Sequence, residues 1–344
     1  MIIRSGIKRC ALSKYVIVED DFMNNISKAG KGDIETLAHF ASENGYSEFS
    51  YFNYDKKIFF KNKVREFTSG VGKSIFYLTK KKDICGVVFL EDLPFDSELF
   101  NTKAVNINDI ILSRKADRFL QNEISGLLLD FVMKINDKAH FIQCKLDSRN
   151  IEAISILPKY GFKIVSQDLN FFIETENSIE INPDYHNLAV CPCDKEDIKA
   201  LYKISLDAFT TTRFHNDLNI PNEKADELQA LWIRNCYSQN LADTIIVLKK
   251  GKDICGYVAC KVLDDIILPS NQKIGRIILI AVDKKYQRKG IGSVLIQESL
   301  KWFKQRCSFM VVGTQIINLP AISLYQKNGC RLFGSKVSFH FWRR

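Results

Sequence analysis

Two segments near the C-terminus carry the residue types that do chemistry. In Gln287-Arg288-Lys289-Gly290-Ile291-Gly292-Ser293, two glycines one residue apart let successive backbone N–H groups turn toward one point. Arg288 and Lys289 add full positive charges, and the apolar-periodic Val294, Leu295, Leu300 and Phe303 predict a helix whose N-terminus adds partial positive charge. The guest such a loop suits is a phosphate or pyrophosphate. Side chains at positions 290 and 292 would take the space that phosphate oxygens need. The second segment runs from Asn318 through Pro320, Ala321, Leu324 and Tyr325 to Gly329. Asn318 suits an N-cap, Pro320 the first turn and Gly329 the C-terminal stop of a helix. Asn318, Ala321 and Tyr325 then share one face. Tyr325 brings a phenol, whose ordinary pKa near 10 suits it to donate a proton to a departing group.

The elements that must position these residues can be read around them. The apolar run Ile277 to Val282 predicts a buried strand leading into the glycine loop. The loop lacks the Gly-Lys-Ser/Thr ending of a P-loop and the third glycine of a dinucleotide fingerprint. Its order, Gln287-Arg288-Lys289-Gly290-Ile291-Gly292 after Val282-Asp283, resembles the pyrophosphate loop of the GNAT superfamily of acetyl-CoA-dependent N-acetyltransferases, with Lys284 in place of the common proline. Asn318 to Cys330 resembles that superfamily's Asn-x-x-Ala-x-x-Leu-Tyr-x-x-x-Gly-Phe helix, with Cys330 in place of the aromatic. The resemblance covers roughly residues 186–344. It implies the α/β (α+β) GNAT fold, with a central mixed, mostly antiparallel sheet flanked by helices. It also implies acetyl-CoA as acyl donor, no metal, and donor contacts from Ile280, Ala281, Val282, Gln287 to Ser293, Asn318, Ala321 and Leu324. A backbone N–H of the Ile280–Val282 strand would polarise the thioester carbonyl, and Tyr325 would be the general acid.

An internal repeat extends this fold to the rest of the chain. Lys82-Asp83-Ile84-Cys85-Gly86 echoes Lys252-Asp253-Ile254-Cys255-Gly256, 170 residues on (83 to 253), and Asn150 to Phe162 echoes Asn318 to Cys330, 168 residues on (150 to 318). The expected organisation is two tandem GNAT-like domains. Residues 1–180 form a degenerate copy with an extra N-terminal segment, residues 186–344 form the catalytic copy, and Glu174 to Ser178 begins the connection. The degenerate copy has Ser113-Arg114-Lys115-Ala116-Asp117 in place of the glycine loop and Leu157 in place of Tyr325, so a structural partner is expected, with a share in the acceptor pocket as the alternative. In its N-terminal part Ile34 to Phe40 predicts a helix, the aromatic-rich Glu48 to Phe60 suits strands, and Leu93 to Asn101 reads as a turn-rich connector.

At 344 residues and 46% hydrophobic, the chain can build two packed cores. The net charge of +9 is spread without a long basic block, which suits a coenzyme A diphosphate better than nucleic acid. Ten cysteines sit mostly in apolar runs, as free thiols do in a reducing compartment, and Cys191-Pro192-Cys193 lacks the second ligand pair of a zinc site. A soluble, cytoplasmic protein without a membrane partner is expected, and a homodimer stays open.

The acceptor is the finer question. Ala208 to Asp217 lies where the superfamily builds its acceptor wall. It resembles the Phe-x-x-x-Arg-Phe segment of the dTDP-fucosamine, or nucleotide amino-sugar, acetyltransferases. Leu93 to Phe100 and Phe339 to Trp342 resemble other parts of that type. The resemblance implies acceptor contacts from Arg213, His215, Asp217, Phe95 and Asp96, with Arg213 on a diphosphate and His215 or Asp217 as candidate bases. Acetylation of a protein N-terminus or lysine, and a binding module without turnover, are the alternatives.

Overall fold

The computed structural model describes residues 25–177, 187–238, 241–264, 266, 268–269 and 272–343. In chain order the first copy has β1 (Ile26–Lys28), α1 (Ile34–Asn44), α2 (Lys56–Ser69), β2 (Lys73–Lys80), β3 (Asp83–Asp92), α3 (Pro94–Phe100), β4 (Lys103–Leu112), α4 (Arg118–Ile135), β5 (Ala139–Asp147), α5 (Ile151–Ile156) and β6 (Lys163–Glu174). The second has β7 (Ala189–Pro192), α6 (Ile198–Ala208), α7 (Asn222–Tyr237), β8 (Thr244–Lys250), β9 (Asp253–Leu263), β10 (Ile274–Val282), α8 (Ile291–Lys304), β11 (Phe309–Gln315), α9 (Leu319–Lys327) and β12 (Arg331–Trp342). The repeat is visible in the backbone: Gly161 and Gly329, which end the matching α5 and α9 regions, both take a left-handed conformation (φ 84° and 77°).

The two expected sheets are one. Twelve strands run in the order β1-β2-β3-β4-β5-β12-β6-β11-β10-β9-β8-β7. Each copy's last strand pairs with the other copy's fifth: β12 with β5, and β6 with β11, while β6 and β12 pair with each other at the centre. Each core is therefore closed by the other copy's chain. Phe171 and Ile173 of β6 pack with Leu295, Leu300 and Tyr325, whereas Val337 and Phe339 of β12 pack with Leu128, Leu157 and Phe162.

Period-two alternation builds the layers. On β3, Val88 and Leu90 face α4, while Val87 and Phe89 face α1 and α2. On β9, Val258 and Cys260 face α8, while Tyr257 and Ala259 face α6 and α7. Two expectations for the N-terminal part need correction. Glu48 to Phe60 holds turns and the start of α2, because Asp55 caps the helix by accepting from the Ile58 N–H, and Phe60, Val64 and Phe67 recur at helical spacing on its buried face. Leu93 to Asn101 contains α3, with Pro94 in its first turn and Asn101 ending it in a left-handed conformation (φ 49°). Of the Glu174 to Ser178 connection, Ser178 lies outside the described residues, as does the boundary near residues 180–186.

Candidate active site

β10 and β11 run parallel only from Ile274 opposite Phe309 to Ile277 opposite Val312. β10 then bulges against β9 between Ile277 and Leu279 and continues to Val282 bonded to β9 alone. Bulges turn a strand out of its ladder, and here the turn opens a gap toward β11. A cavity of about 520 Å³ fills the gap. Ile280, Ala281 and Val282 line one side of it, and Asn318, Ala321, Leu324 and Tyr325 the other. The donor-side residues expected from the two motifs are thus brought together, and the β10 edge facing the gap has lost its strand partner.

The glycine loop leads from β10 into α8. Gly290 is the N-cap of α8, at φ 81° and without a side-chain cap, and Arg288 is also left-handed at φ 62°. A non-glycine residue there costs roughly 1 kcal/mol or more, so the loop is held in a shape its residues do not prefer. Gln287 Nε2 donates to the Val282 carbonyl and Lys289 Nζ to the Lys285 carbonyl, which tie the loop to the strand end. Gly292 also serves packing, in addition to the role expected of it. A Cβ there would meet the two Cδ atoms of Leu324 at 3.0 and 3.1 Å, so its bareness lets α9 pack against the first turn of α8. Ile291 points into the core, and Ser293 Oγ accepts from Asn328 Nδ2 at 3.0 Å, which also ties α8 to the end of α9.

Asn318 caps α9 by accepting from the Ala321 N–H at 3.2 Å. Tyr325, 2% exposed, packs on Phe171 of β6 with ring centroids 5.7 Å apart. Its hydroxyl has no protein hydrogen-bond partner among the described residues and belongs to the cavity lining. Burial pushes its pKa upward, which keeps the phenol protonated until a stronger base appears.

The residues expected for the acceptor divide. Arg213 lines the cavity, with Phe214 under its guanidinium (4.5 Å to the ring centroid) and its Nε buried without a hydrogen-bond partner. Burial lowers its pKa, against the pull of Asp168 and Asp96. His215 does not line the cavity, since both ring nitrogens are engaged, Nδ1 with Thr212 Oγ1 at 2.7 Å and Nε2 with Asp226 Oδ1 at 3.1 Å. Asp217 is also elsewhere. It accepts from His340 Nδ1 and Trp342 Nε1, each at 2.7 Å, and so anchors the end of β12. Burial would raise its pKa, but these bonds outweigh it and bring the carboxyl down to about 2. Phe95 is 37% exposed and outside the cavity, and Asp96, buried below it, reaches Arg213 only electrostatically. Thr212 and Phe214 line the cavity with Arg213, but closeness in sequence did not carry His215 and Asp217 into it.

Sequence reading missed a cluster of charged residues in the same wall, most of it from the first copy. Glu48 pairs with Arg276 Nη2 at 2.8 Å and with Lys336 Nζ at 3.1 Å. Burial opposes its ionisation, but Arg276 and Lys336 outweigh that and hold the carboxyl well below the usual range. Lys145 of β5 pairs with Asp168 of β6 at 2.5 Å, and Asp168 also accepts from Ser166 Oγ at 2.6 Å. The signal that could have found them is alternation. Lys336 on β12 stands opposite Asp147 and Asp168, and Ser338 opposite Lys145 and Ser166, so polar side chains repeat on one face of the central strands.

The sequence profile of the acetyltransferase (GNAT) family matches residues 198–330, the span that holds the parted strands, the glycine loop and Tyr325. Over that span the second copy belongs to the GNAT acetyltransferase family. A full-length likeness agrees with this. A GCN5-related N-acetyltransferase structure from Sphaerobacter thermophilus superposes with a TM-score of 0.61 at 10% identity, over 93% of this chain and 96% of that one. The chain is 21% identical to the spore coat polysaccharide biosynthesis protein SpsD of Bacillus subtilis, over 75% of this chain and 84% of that protein. It is also 25% identical to human N-alpha-acetyltransferase 30, over 34% of this chain and a third (33%) of that protein.

The first half of this GNAT acetyltransferase keeps the parted strands and loses the rest. β4 and β5 are parallel as far as Ile107 opposite Cys144 and then separate. Asp117 caps α4 with its own carboxylate, which accepts from the Leu120 N–H at 2.9 Å. Asn150 Nδ2 donates across the gap to the Ile110 carbonyl at 2.8 Å, and Leu157 is fully buried.

Proposed function

We propose that this acetyltransferase transfers the acetyl group of acetyl-CoA to the amine of a small acceptor, a nucleotide-linked amino-deoxysugar. The observation that carries the acceptor class is Arg213, a guanidinium with a buried, unpartnered Nε in the wall of the cavity that Tyr325 lines. Such a group is stabilised by an anion that brings its own hydrogen-bond acceptors, and a diphosphate does so with two parallel bonds. The likeness to a spore coat polysaccharide biosynthesis protein supports a sugar-related substrate.

On this reading Gln287 to Ser293 hold the donor's pyrophosphate against the α8 N-terminus, and the freed edge of Ile280–Val282 aligns its thioester. The acceptor amine forms the new N–C bond as the C–S bond breaks. Tyr325 gives its proton to the departing thiolate. Two carboxylates line the cavity, Glu48 held by two cations, Arg276 and Lys336, and Asp168 by one, Lys145. We therefore assign to Asp168 the proton the amine must lose. Nine described cysteines are all free, in keeping with a reducing cytoplasmic setting. No helix among the described residues is long and apolar enough to cross a membrane.

Acetylation of a protein N-terminus is the second reading, favoured by the human relative over its shorter span. Thiol release from acetyl-CoA across nucleotide amino sugars, polyamines and peptides separates the two. The account expects turnover with nucleotide amino sugars and a raised acceptor KM, with unchanged acetyl-CoA KM, in Arg213→Ala. Turnover with peptides alone overturns the sugar reading.

A further inference from the structure

We infer that a second cavity, in the first copy, holds the nucleoside end of the acceptor, and that the acceptor's diphosphate rests on the wall between the two cavities. This deepens the reading of a nucleotide-linked acceptor and rests on it.

The second cavity, about 590 Å³, lies where β4 and β5 part, under α2. It is separated from the Tyr325 cavity by side chains that line both: Glu48, Lys145, Arg213 and Lys336. A molecule filling one cavity therefore sits directly against the contents of the other.

Its polar lining is incomplete as it stands. Ser338 and His340 are 1% and 2% exposed, and Ser338 Oγ and His340 Nε2, like Arg213 Nε, are buried without a hydrogen-bond partner. All three residues line this cavity. A buried polar atom without a partner forfeits its hydration with nothing in return, so three around one space call for a guest that satisfies them. The imidazole of His340 has its Nδ1 on the Asp217 carboxylate, which leaves Nε2 to the cavity as an acceptor. Burial lowers its pKa despite Asp217, in keeping with a neutral ring. Asn106, Asn108 and Gln143 add amide donors and acceptors.

Charge defines the order of groups along the guest. The lysines of this cavity are neutralised: Lys63 by Asp109 (2.8 Å), Lys73 by Glu91 (3.3 Å) and Glu66, Lys145 by Asp168 and Lys336 by Glu48. Carboxylates outnumber these lysines, Glu66 and Glu91 both facing Lys73, so the cavity interior repels an anion and suits an uncharged, hydrogen-bonding group, with Phe59 and Phe67 offering ring surface. The dividing wall differs. Lys145, Arg213 and Lys336 stand against Glu48 in the wall itself, three cations to one anion, which leaves it net positive, with Arg276 and Asp168 flanking it on the Tyr325 side alone. From the Tyr325 cavity through the wall to the second cavity, the sites read amine, two negative charges, neutral polar ring system. A nucleotide amino sugar has its groups in that order.

The test uses the full chain with dTDP and UDP as probes in calorimetry, with acetyl-CoA as control. Asn108→Trp fills the second cavity alone. Ser338→Ala removes only a hydroxyl that lacks a partner, which the fold tolerates. We expect dTDP or UDP to bind wild type, to weaken more than tenfold in Asn108→Trp and about threefold to tenfold in Ser338→Ala, and acetyl-CoA to bind all three proteins within twofold. Failure of both nucleotides to bind wild type, or unchanged nucleotide affinity in Ser338→Ala and in folded Asn108→Trp, overturns the inference. Thiol release by wild type with nucleotide amino sugars is scored separately, so loss of the catalytic reading and loss of this site are told apart.

Discussion

At matching points of the two copies the central strands separate: β4 from β5 beyond Ile107 and Cys144, and β10 from β11 beyond Ile277 and Val312. In the second copy the helix that follows starts at a bare glycine, the next asparagine caps its own helix, and a phenol faces the gap. In the first copy the helix start is occupied by the Asp117 carboxylate, Asn150 reaches across to the Ile110 carbonyl, and Leu157 is packed away. The scaffold is the same, so on the proposed reading what separates a donor site from a support is which groups satisfy the opened backbone. A carboxylate already seated at a helix N-terminus repels the anion that site would otherwise hold. The first copy still contributes, because the strand exchange carries β6 into the second half and puts Phe171 against Tyr325 and Asp168 in the lining of the same cavity.

The largest expected effect comes from making the active copy resemble the silent one at the phenol. Tyr325→Phe should lower kcat by roughly 10²-fold, the usual scale for a positioned acid, with acetyl-CoA affinity kept. Tyr325→Leu, which copies Leu157, should be no more active. A kcat within threefold of wild type, measured where chemistry limits the rate, would place the acid elsewhere.

Acid stability tests what anchors the exchanged strand. The folded pKa of Asp217, about 2, lies below the ordinary carboxylate value. Its contribution is therefore complete above about pH 4 and lost as pH falls toward 2, on the order of 2 kcal/mol. Denaturant unfolding of Asp217→Asn should show a smaller stability loss than wild type across that window, and an equal loss would remove Asp217 from this role. Asn150→Ala probes the stitch in the silent copy. It leaves the Ile110 carbonyl unpaired and should cost roughly 1–3 kcal/mol of stability, without changing acetyl-CoA affinity. A weaker donor affinity in that variant would mean that the first copy takes part in donor binding. The smallest effect expected is Arg213→Lys. It keeps the charge and loses the planar fork, so the acceptor KM should rise about tenfold while the acetyl-CoA KM stays put. Equal changes in both constants would show that Arg213 does not distinguish the substrates.

The residues proposed to hold the donor could be grouped from sequence because their information is local. A glycine pair after a strand and a capped helix seven residues long to its tyrosine are contained in short windows, and the repeat offsets of 170 and 168 located the second copy of the fold. The acceptor half was not, because it depends on pairings far apart in the chain. Glu48 meets Arg276 and Lys336, and Lys145 meets Asp168, only after β6 and β12 have crossed between the copies. His215 and Asp217 show the converse. Their closeness to Arg213 in sequence suggested a shared site, yet the turn after α6 directs His215 to Asp226 and Asp217 to β12.

The central claim is that each chain binds one acetyl-CoA, in the second copy, because Gly290 leaves open the helix start that Asp117 closes in the first. Calorimetric titration of acetyl-CoA into wild type, Gly290→Asp and Gly290→Asn tests it most directly. Asparagine tolerates the left-handed backbone at this position about as well as aspartate does, so the pair isolates the charge. The account predicts one site per chain in wild type, a loss of about 10²-fold or more in affinity for Gly290→Asp, and a smaller loss for Gly290→Asn. Two sites per chain, or Gly290→Asp binding within threefold of wild type, would contradict it.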